Sequence, residues 1–157
     1  SKMVLGQISE VLFLLLLPIF LNRYGIKKVL IIGVLAWGIR YLLFAYGNAG
    51  ENTWMLLFGI ILHGICYDFF FVSGQIYTDF KAGEKYKSSA QGLITLATYG
   101  LGMLIGFRFA GWLTDQYVSE GGHFWKEIWI QPAIFSFVIL ILFLISFKSE
   151  TIKIKLT

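Results

Sequence analysis

Five long blocks of apolar residues dominate this sequence and limit what the chain can fold into. Several of them reach the roughly 20 residues that a helix needs to cross a bilayer core about 30 Å thick. Only 14% of the 157 residues are charged, against about 25% in a soluble domain, so a water-facing surface would be hard to build. We predict an all-α membrane protein with five transmembrane helices, at about residues 3-21, 29-46, 54-77, 89-117 and 128-147.

Basic residues between the blocks predict the orientation. The alternate links and the tail hold nine Lys and Arg residues, whereas the remaining links hold one, Lys126. Cytoplasmic loops carry the excess of positive charge, so the basic links and the carboxyl terminus are expected in the cytoplasm. This dispersed charge indicates membrane lipid rather than nucleic acid as a partner. The nine residues are Arg23, Lys27, Lys28, Lys81, Lys85, Lys87, Lys148, Lys153 and Lys155.

Three ionisable residues fall inside apolar blocks at one predicted depth. Glu10, Arg40 and Asp68 each lie 12 or 13 residues from the basic end of their block. At about 1.5 Å per residue, all three lie roughly 18 Å from the cytoplasmic ends, close to the bilayer midplane. Charged groups at this depth are costly and usually functional. We therefore expect the three side chains to meet at a site.

Polar neighbours extend this site along two helix faces. Gln7 precedes Glu10 by three residues, and His63 precedes Tyr67 by four, so each pair shares one face. Such side chains can hydrogen-bond a neutral polar solute. The alternative for His63 and Tyr67 is simple packing within the helix bundle.

The three charged residues also have two interpretations. Glu10 and Asp68 can carry a proton across the membrane. The alternative is structural, because buried charges are normally paired, and Arg40 is then the ion-pair partner of one carboxylate. For Asp68 both interpretations remain open.

Motifs for catalysis or metal binding are largely missing. The sequence has no H-E-x-x-H, no G-x-S-x-G, no phosphate-binding P-loop and no cysteine–histidine set. Tyr67-Asp68 looks like half of the intramembrane aspartyl protease signature, but the G-x-G-D half does not occur. We therefore expect no enzymatic activity, no cofactor and no metal.

Two sets of motifs resemble a known transporter superfamily. Residues 21–28 resemble the basic signature loop of the major facilitator superfamily, with Asn22 in place of its usual acidic residue. A longer set, spread over nearly the whole chain, resembles the bacterial nucleoside:proton symporter family. Its members are Gly6-Gln7-Ile8-Ser9-Glu10, Arg23-Tyr24-Gly25-Ile26-Lys27, Ala36-Trp37, Arg40, Phe44-Ala45-Tyr46-Gly47, Tyr67-Asp68-Phe69-Phe70, Ser73-Gly74 and Ser89-Ala90-Gln91-Gly92.

The resemblance implies a place for the chain in a larger fold. Residues 1-157 would form part of a carboxyl-terminal bundle, with helices eight to twelve of twelve, and the chain begins inside an apolar run. The amino-terminal bundle and one further helix would be absent. The implied activity is proton-coupled nucleoside uptake across the bacterial cytoplasmic membrane. The implied partners are a nucleoside, a proton and the amino-terminal half of the same chain.

The resemblance also implies roles for individual residues. Gln7 and Glu10 match a polar pair that faces the central nucleoside site. Tyr67 matches an aromatic position that can stack on a base, and Asp68 matches an intramembrane acid linked to proton coupling. His63 stands where a relative carries tyrosine, and we expect it to line the same site. The alternatives are a sugar:proton symporter of the same superfamily, and a non-transporting membrane receptor or structural subunit.

Overall fold

Three long helices make up most of the part of the chain that the structure describes. The computed structural model describes residues 4–148. All three helices are long and apolar enough to cross a membrane, so the predicted all-helical membrane class is confirmed. An antiparallel pair of two-residue strands joins the second helix to the third. The elements are α1 (Val4–Tyr46), α2 (Thr53–Gln116), β1 (Val118–Ser119), β2 (Gly122–His123) and α3 (Trp125–Ser146).

Gly25 interrupts α1 with a backbone conformation, φ 76° and ψ 164°, that favours glycine. Phe13 before it and Gly33 after it both reach Phe69 of α2. The rings of Phe13 and Phe69 lie 6.0 Å apart, and a Cβ on Gly33 would lie 2.9 Å from the Phe69 carbonyl carbon. A straight helix would separate Phe13 from Gly33 by roughly 30 Å. The first half of α1 (4–24) therefore folds back beside its second half (26–46).

Gly83 reverses α2 in the same way, with φ 64° and ψ 172°. The Gln91 side chain, in the second half of α2 (84–116), donates a 2.5 Å hydrogen bond to the carboxylate of Asp79 in the first half (53–82). The two halves of α2 therefore pack against each other.

The links predicted at Asn22–Lys28 and Lys81–Lys87 are thus helical apart from one glycine each. Five separate helices were predicted from the sequence, whereas the structure has three long ones that contain these two interruptions. The physical reason is that charged side chains at a membrane surface are compatible with helix. A single residue with positive φ is enough to reverse the chain.

Two π-helical turns divide α2, and neither was predicted from the sequence. A π turn inserts an extra residue between helix hydrogen bonds, so it re-aims side chains and is frequent at functional sites. The first turn holds Tyr67 and Asp68, and the second holds Tyr99. The successive segments are Thr53–Cys66 (α), Tyr67–Val72 (π), Ser73–Thr95 (α), Leu96–Gly102 (π) and Met103–Gln116 (α).

The second half of α1 also packs antiparallel to α3. Near the Gly25 end, the Lys27 ammonium group donates a 3.3 Å hydrogen bond to the Leu144 carbonyl. Near the other end, the Trp129 ring stacks on Tyr41 at 5.8 Å. This half of α1 is therefore held between α2 and α3.

The interior is small, and much of the apolar surface is exposed. Leu15, Phe107 and Ile145 are 72%, 73% and 78% exposed. An apolar surface of this extent faces lipid or other helices rather than water. One cluster of buried hydrophobic residues lies beside the Gly25 turn and consists of Leu17, Leu21, Ile26, Val29, Leu30 and Phe69.

Candidate functional site

The predicted site residues come from three helix halves that pack together. Close packing between the first half of α1 and α2 depends on glycine. A Cβ on Gly64 would lie 2.5 Å from the Ser9 carbonyl carbon and 2.6 Å from the Glu10 nitrogen. A Cβ on Gly6 would instead make an ordinary van der Waals contact, 3.7 Å from the Cβ of His63. The backbones therefore approach each other at the level of the predicted site.

Ser9 stabilises this contact, and it was not predicted from the sequence as a site residue. Its buried hydroxyl donates a hydrogen bond to the main-chain carbonyl of Ile61. A lone serine in an apolar block carries no signal that separates it from an ordinary packing residue. Its position, one residue before Glu10, means that it helps to set where the Glu10 backbone lies against α2.

Gln7 and Glu10 have side chains that are open to a ligand. Gln7 is exposed and Glu10 is half-buried. Within residues 4–148, neither side chain has a hydrogen bond or an ion pair. Glu10 nevertheless lies close enough to His63 and Asp68 to act on both electrostatically. The predicted pair is therefore close to the α2 site residues. Its side-chain polar atoms make no hydrogen bond to the described part of the chain.

Arg40 contacts His63. One guanidinium nitrogen, Nη1, lies 3.0 Å from His63 Nδ1. The guanidinium also lies over the rings of Trp37 and Phe44, at 5.5 Å and 5.2 Å from their centroids, in cation–π contact. Among the described residues, no carboxylate lies within 4 Å of Arg40. Its role as ion-pair partner of Glu10 or Asp68 stays a prediction.

Asp68 is buried and its side chain lacks a partner. The residue is 1% exposed, and neither carboxylate oxygen has a hydrogen-bond partner in the part of the chain that the structure describes. The Ser73 hydroxyl bonds to the Asp68 main-chain carbonyl, at 3.3 Å, and not to the side chain. A buried charge without a partner is costly, and binding a proton removes that charge. The Asp68 environment thus suits a group that exchanges a proton.

Tyr67 belongs to an aromatic cluster. Its hydroxyl lies 2.5 Å from that of Tyr99. Its ring lies 5.4 Å from Phe71 and 6.1 Å from His63. Tyr99 was not predicted as a site residue, because its spacing of 32 residues from Tyr67 gives no sign that the two π turns face each other. The cluster provides flat apolar surfaces beside the polar residues.

A largely apolar crevice of about 710 Å³ lies beyond this cluster, between the second half of α1, α2 and α3. Its lining contains none of Gln7, Glu10, His63 or Asp68. Trp37 connects the two regions, because its indole N–H donates a 3.2 Å hydrogen bond to the Cys66 carbonyl, directly before the first π turn. Other lining residues include Tyr41, Phe70, Phe71, Tyr99 and Phe135.

Comparison with known proteins gives consistent matches. A family model described as "Nucleoside H+ symporter" matches residues 1–152. The chain is 44% identical over 156 residues to YegT of Escherichia coli (strain K12), covering 94% of this chain and 37% of YegT. It is 35% identical over 153 residues to the nucleoside permease NupG of the same organism, covering 97% of this chain and 37% of NupG.

A solved structure gives the same match. The crystal structure of a mutant of the nucleoside transporter NupG matches with a TM-score of 0.88 and 36% sequence identity, covering 94% of this chain and 37% of that chain. The chain thus spans a little over a third of the length of these relatives.

Proposed function

Because this chain belongs to the nucleoside H+ symporter family, we propose that the full-length protein carries a nucleoside inward across the cytoplasmic membrane together with a proton. The chain covers 37% of NupG, so this activity belongs to the whole protein. The observation that supports it most directly is the buried carboxylate of Asp68, which has no hydrogen-bond partner among the described residues. It follows Tyr67 in the same π turn and lies within electrostatic reach of Glu10.

In this proposal the chain crosses the membrane five times. If α1 were straight, its 43 residues would span about 65 Å, twice the thickness of a bilayer core. Reversals at Gly25 and Gly83 support one crossing for each half of α1 and α2, and α3 is the fifth. The basic residues near both glycines would face the cytoplasm, together with the carboxyl terminus. Lys153 and Lys155 of the basic tail lie outside the described residues.

The five crossings would be helices eight to twelve of a twelve-helix major facilitator fold. In such transporters two bundles rock around a binding site near the midplane. The likeness to the NupG structure over 94% of this chain supports this assignment. The amino-terminal bundle and one more helix of the same chain would supply the rest of the site.

The site residues divide into two groups in this mechanism. Gln7, Glu10, His63 and Tyr67 bind the nucleoside, through hydrogen bonds and one aromatic face. Glu10 and Asp68 bind the proton, and Arg40 offsets their negative charge. Protonation removes a buried charge and so changes the relative free energies of the two transporter conformations, which couples proton entry to substrate entry.

The two alternatives differ from this proposal in what they need. A sugar:proton symporter needs hydroxyl-binding groups, whereas the cluster of Tyr67, Phe71 and Tyr99 also favours a flat base. A receptor or structural subunit has no need for a buried carboxylate such as that of Asp68, which has no hydrogen-bond partner within residues 4–148. Both features therefore favour nucleoside symport.

The experiment is uptake of radiolabelled uridine by the full-length protein in proteoliposomes, with an imposed proton gradient. Uridine should accumulate, and a protonophore should abolish accumulation. Excess unlabelled nucleoside should compete, and excess glucose should not. Uptake that persists with the protonophore would contradict symport, and competition by glucose alone would favour the sugar alternative.

A further inference from the structure

His63 is contacted on one of its two ring nitrogens. Its Nδ1 lies 3.0 Å from Nη1 of Arg40. Within residues 4–148, Nε2 has no hydrogen-bond partner, and it is not among the fully buried polar atoms. The two nitrogens diverge around the imidazole ring, so Nε2 faces away from Arg40. His63 is thus held on one side and accessible on the other.

The chemistry of Arg40 decides which nitrogen of His63 carries the hydrogen. A guanidinium group has only N–H donors, has no acceptor, and stays charged in proteins. His63 Nδ1 must therefore accept the hydrogen bond with its lone pair. A second proton on the imidazole would place the Nδ1–H of His63 against an N–H of Arg40. It would also bring the positive charges of the two side chains together. The hydrogen of the neutral ring therefore lies on Nε2.

Arg40 is itself held in place by its own helix. Trp37 and Phe44, three residues before it and four after it, share its helix face. Their rings lie 5.5 Å and 5.2 Å from the guanidinium. The indole of Trp37 is tied in turn to the Cys66 carbonyl of α2. The direction in which Arg40 donates is therefore set by the packing of α1 on α2.

We propose that Arg40 is a positioning residue that keeps His63 as a neutral hydrogen-bond donor, with its Nε2–H presented to a carbonyl oxygen of the nucleobase. The choice of a nucleobase as acceptor rests on the proposed function, whereas the tautomer does not. The Tyr67 ring, 6.1 Å from the imidazole, gives the base a flat surface beside this donor. Glu10 offers acceptors and His63 a donor, so the two recognise different parts of a nucleoside.

The arrangement also excludes His63 from proton transport. While the Arg40 contact is kept, His63 cannot take a second proton. Glu10 and Asp68 are then the groups of this chain that exchange the transported proton.

The tautomer can be measured by NMR of the full-length protein with histidine labelled by nitrogen-15, at about pH 7.5. The His63 signals are identified by their loss in His63→Phe. They should show a neutral ring protonated at Nε2, and in Arg40→Met they should shift toward a mixture of tautomers. A ring protonated at Nδ1 or at both nitrogens in the parent protein would overturn the proposal. So would signals that are unchanged in Arg40→Met.

Binding of uridine to the purified protein tests the donor role. His63→Phe keeps a ring but removes the donor, and should weaken binding roughly three- to tenfold, as expected for one neutral hydrogen bond. His63→Tyr restores a donor at the tip of the ring and should recover most of the loss. Arg40→Met alone should weaken uridine binding. Combined with His63→Phe, it should weaken binding little further than His63→Phe does alone. Equal binding by the Phe and parent proteins would overturn the donor role.

The two tests separate this proposal from the proposed function. If the parent does not bind uridine, the proposed function fails, while the NMR measurement still decides the tautomer. Elution of each variant as a single species on size-exclusion chromatography shows that it is folded before binding is compared.

Discussion

The hydroxyl groups of Tyr67 and Tyr99 lie 2.5 Å apart, and each tyrosine belongs to one of the two π turns of α2. The Phe71 ring lies 5.4 Å from Tyr67 and 6.1 Å from Tyr99. The irregular part of each half of α2 therefore packs against the irregular part of the other. One hydrogen bond joins them at the level of the candidate site.

Removing this hydrogen bond should loosen the contact between the halves of α2. Tyr99→Phe keeps the ring and leaves the Tyr67 hydroxyl without its partner, so we expect a loss of about 0.5–1.5 kcal/mol in stability. The measurement is the thermal unfolding midpoint of the full-length protein in detergent. Tyr86→Phe is the matched control, because Tyr86 is 59% exposed. A midpoint lowered equally in both variants would show that the hydrogen bond contributes nothing specific.

Gly64 should tolerate no larger residue. In Gly64→Ala the new methyl group would meet the backbone of Ser9 and Glu10 at 2.5–2.6 Å, which forces α1 and α2 apart. We expect a loss of about 1–3 kcal/mol or more from overpacking, measured as the unfolding midpoint in detergent. Gly74→Ala is the control, since nothing lies within 4 Å of its new Cβ. Its midpoint should be unchanged or slightly higher. A stable Gly64→Ala would refute the close approach.

Asp68→Asn should uncouple transport from the proton. The neutral amide resembles the protonated acid in shape but cannot release a proton, so the protein should still insert and bind substrate. Proton-driven accumulation of uridine should be lost, whereas exchange of internal for external uridine should persist. Asp115→Asn is the control, because Asp115 is exposed near the end of α2. Full accumulation by Asp68→Asn would remove Asp68 from the coupling mechanism.

Glu10 should contribute to substrate affinity. Its carboxylate can accept ribose hydroxyl protons in charge-assisted hydrogen bonds, worth about 1.5–3 kcal/mol each. Glu10→Gln should therefore weaken uridine binding roughly ten- to a hundredfold, at about 1.4 kcal/mol per tenfold. Gln7→Ala should weaken it less. Deoxyuridine should show a smaller Glu10 effect if the contact is to the missing hydroxyl. Parent-like binding and transport by Glu10→Gln would make Glu10 structural.

The proposed orientation can be tested by labelling introduced cysteines from either side of the membrane. Glu51→Cys and Lys85→Cys lie at exposed positions, and the native Cys66 is buried, with 0% exposure, so it gives little background. Under five crossings, an impermeant reagent should label position 51 from outside and position 85 only after the cells are opened. Labelling of both positions in intact cells would rule out this topology.

The sequence predicted the helical class because apolar block length is a local property that composition alone reveals. It did not predict how the chain reverses. The polar residues around Gly25 and Gly83 indicated loops, yet a charged side chain at a membrane surface does not break a helix. The π turns were also missed, because an extra residue in a helix leaves the hydropathy of an apolar block unchanged.

Prediction of the site had a similar limit. Helical spacing predicted the depth of Arg40 and His63, and the two side chains do contact each other. Which polar neighbour a buried cation selects depends on how each helix is rotated about its axis. That rotation is set by packing between distant residues, such as Gly64 against Ser9. It cannot be inferred from the depth of a residue in the membrane. The pairing of Arg40 with a carboxylate stays a prediction that rests on charge alone.

The single-residue reversals at Gly25 and Gly83 allow the two helix halves that each one joins almost no independent movement. A long flexible loop would let one helix tilt while its neighbour stayed still. With helix continuing up to and directly after each glycine, tilting one half pulls on the start of the next within a single peptide unit. Paired halves should then move together as rigid bodies. A change in charge at Asp68 should therefore displace both halves of α2 along their full length.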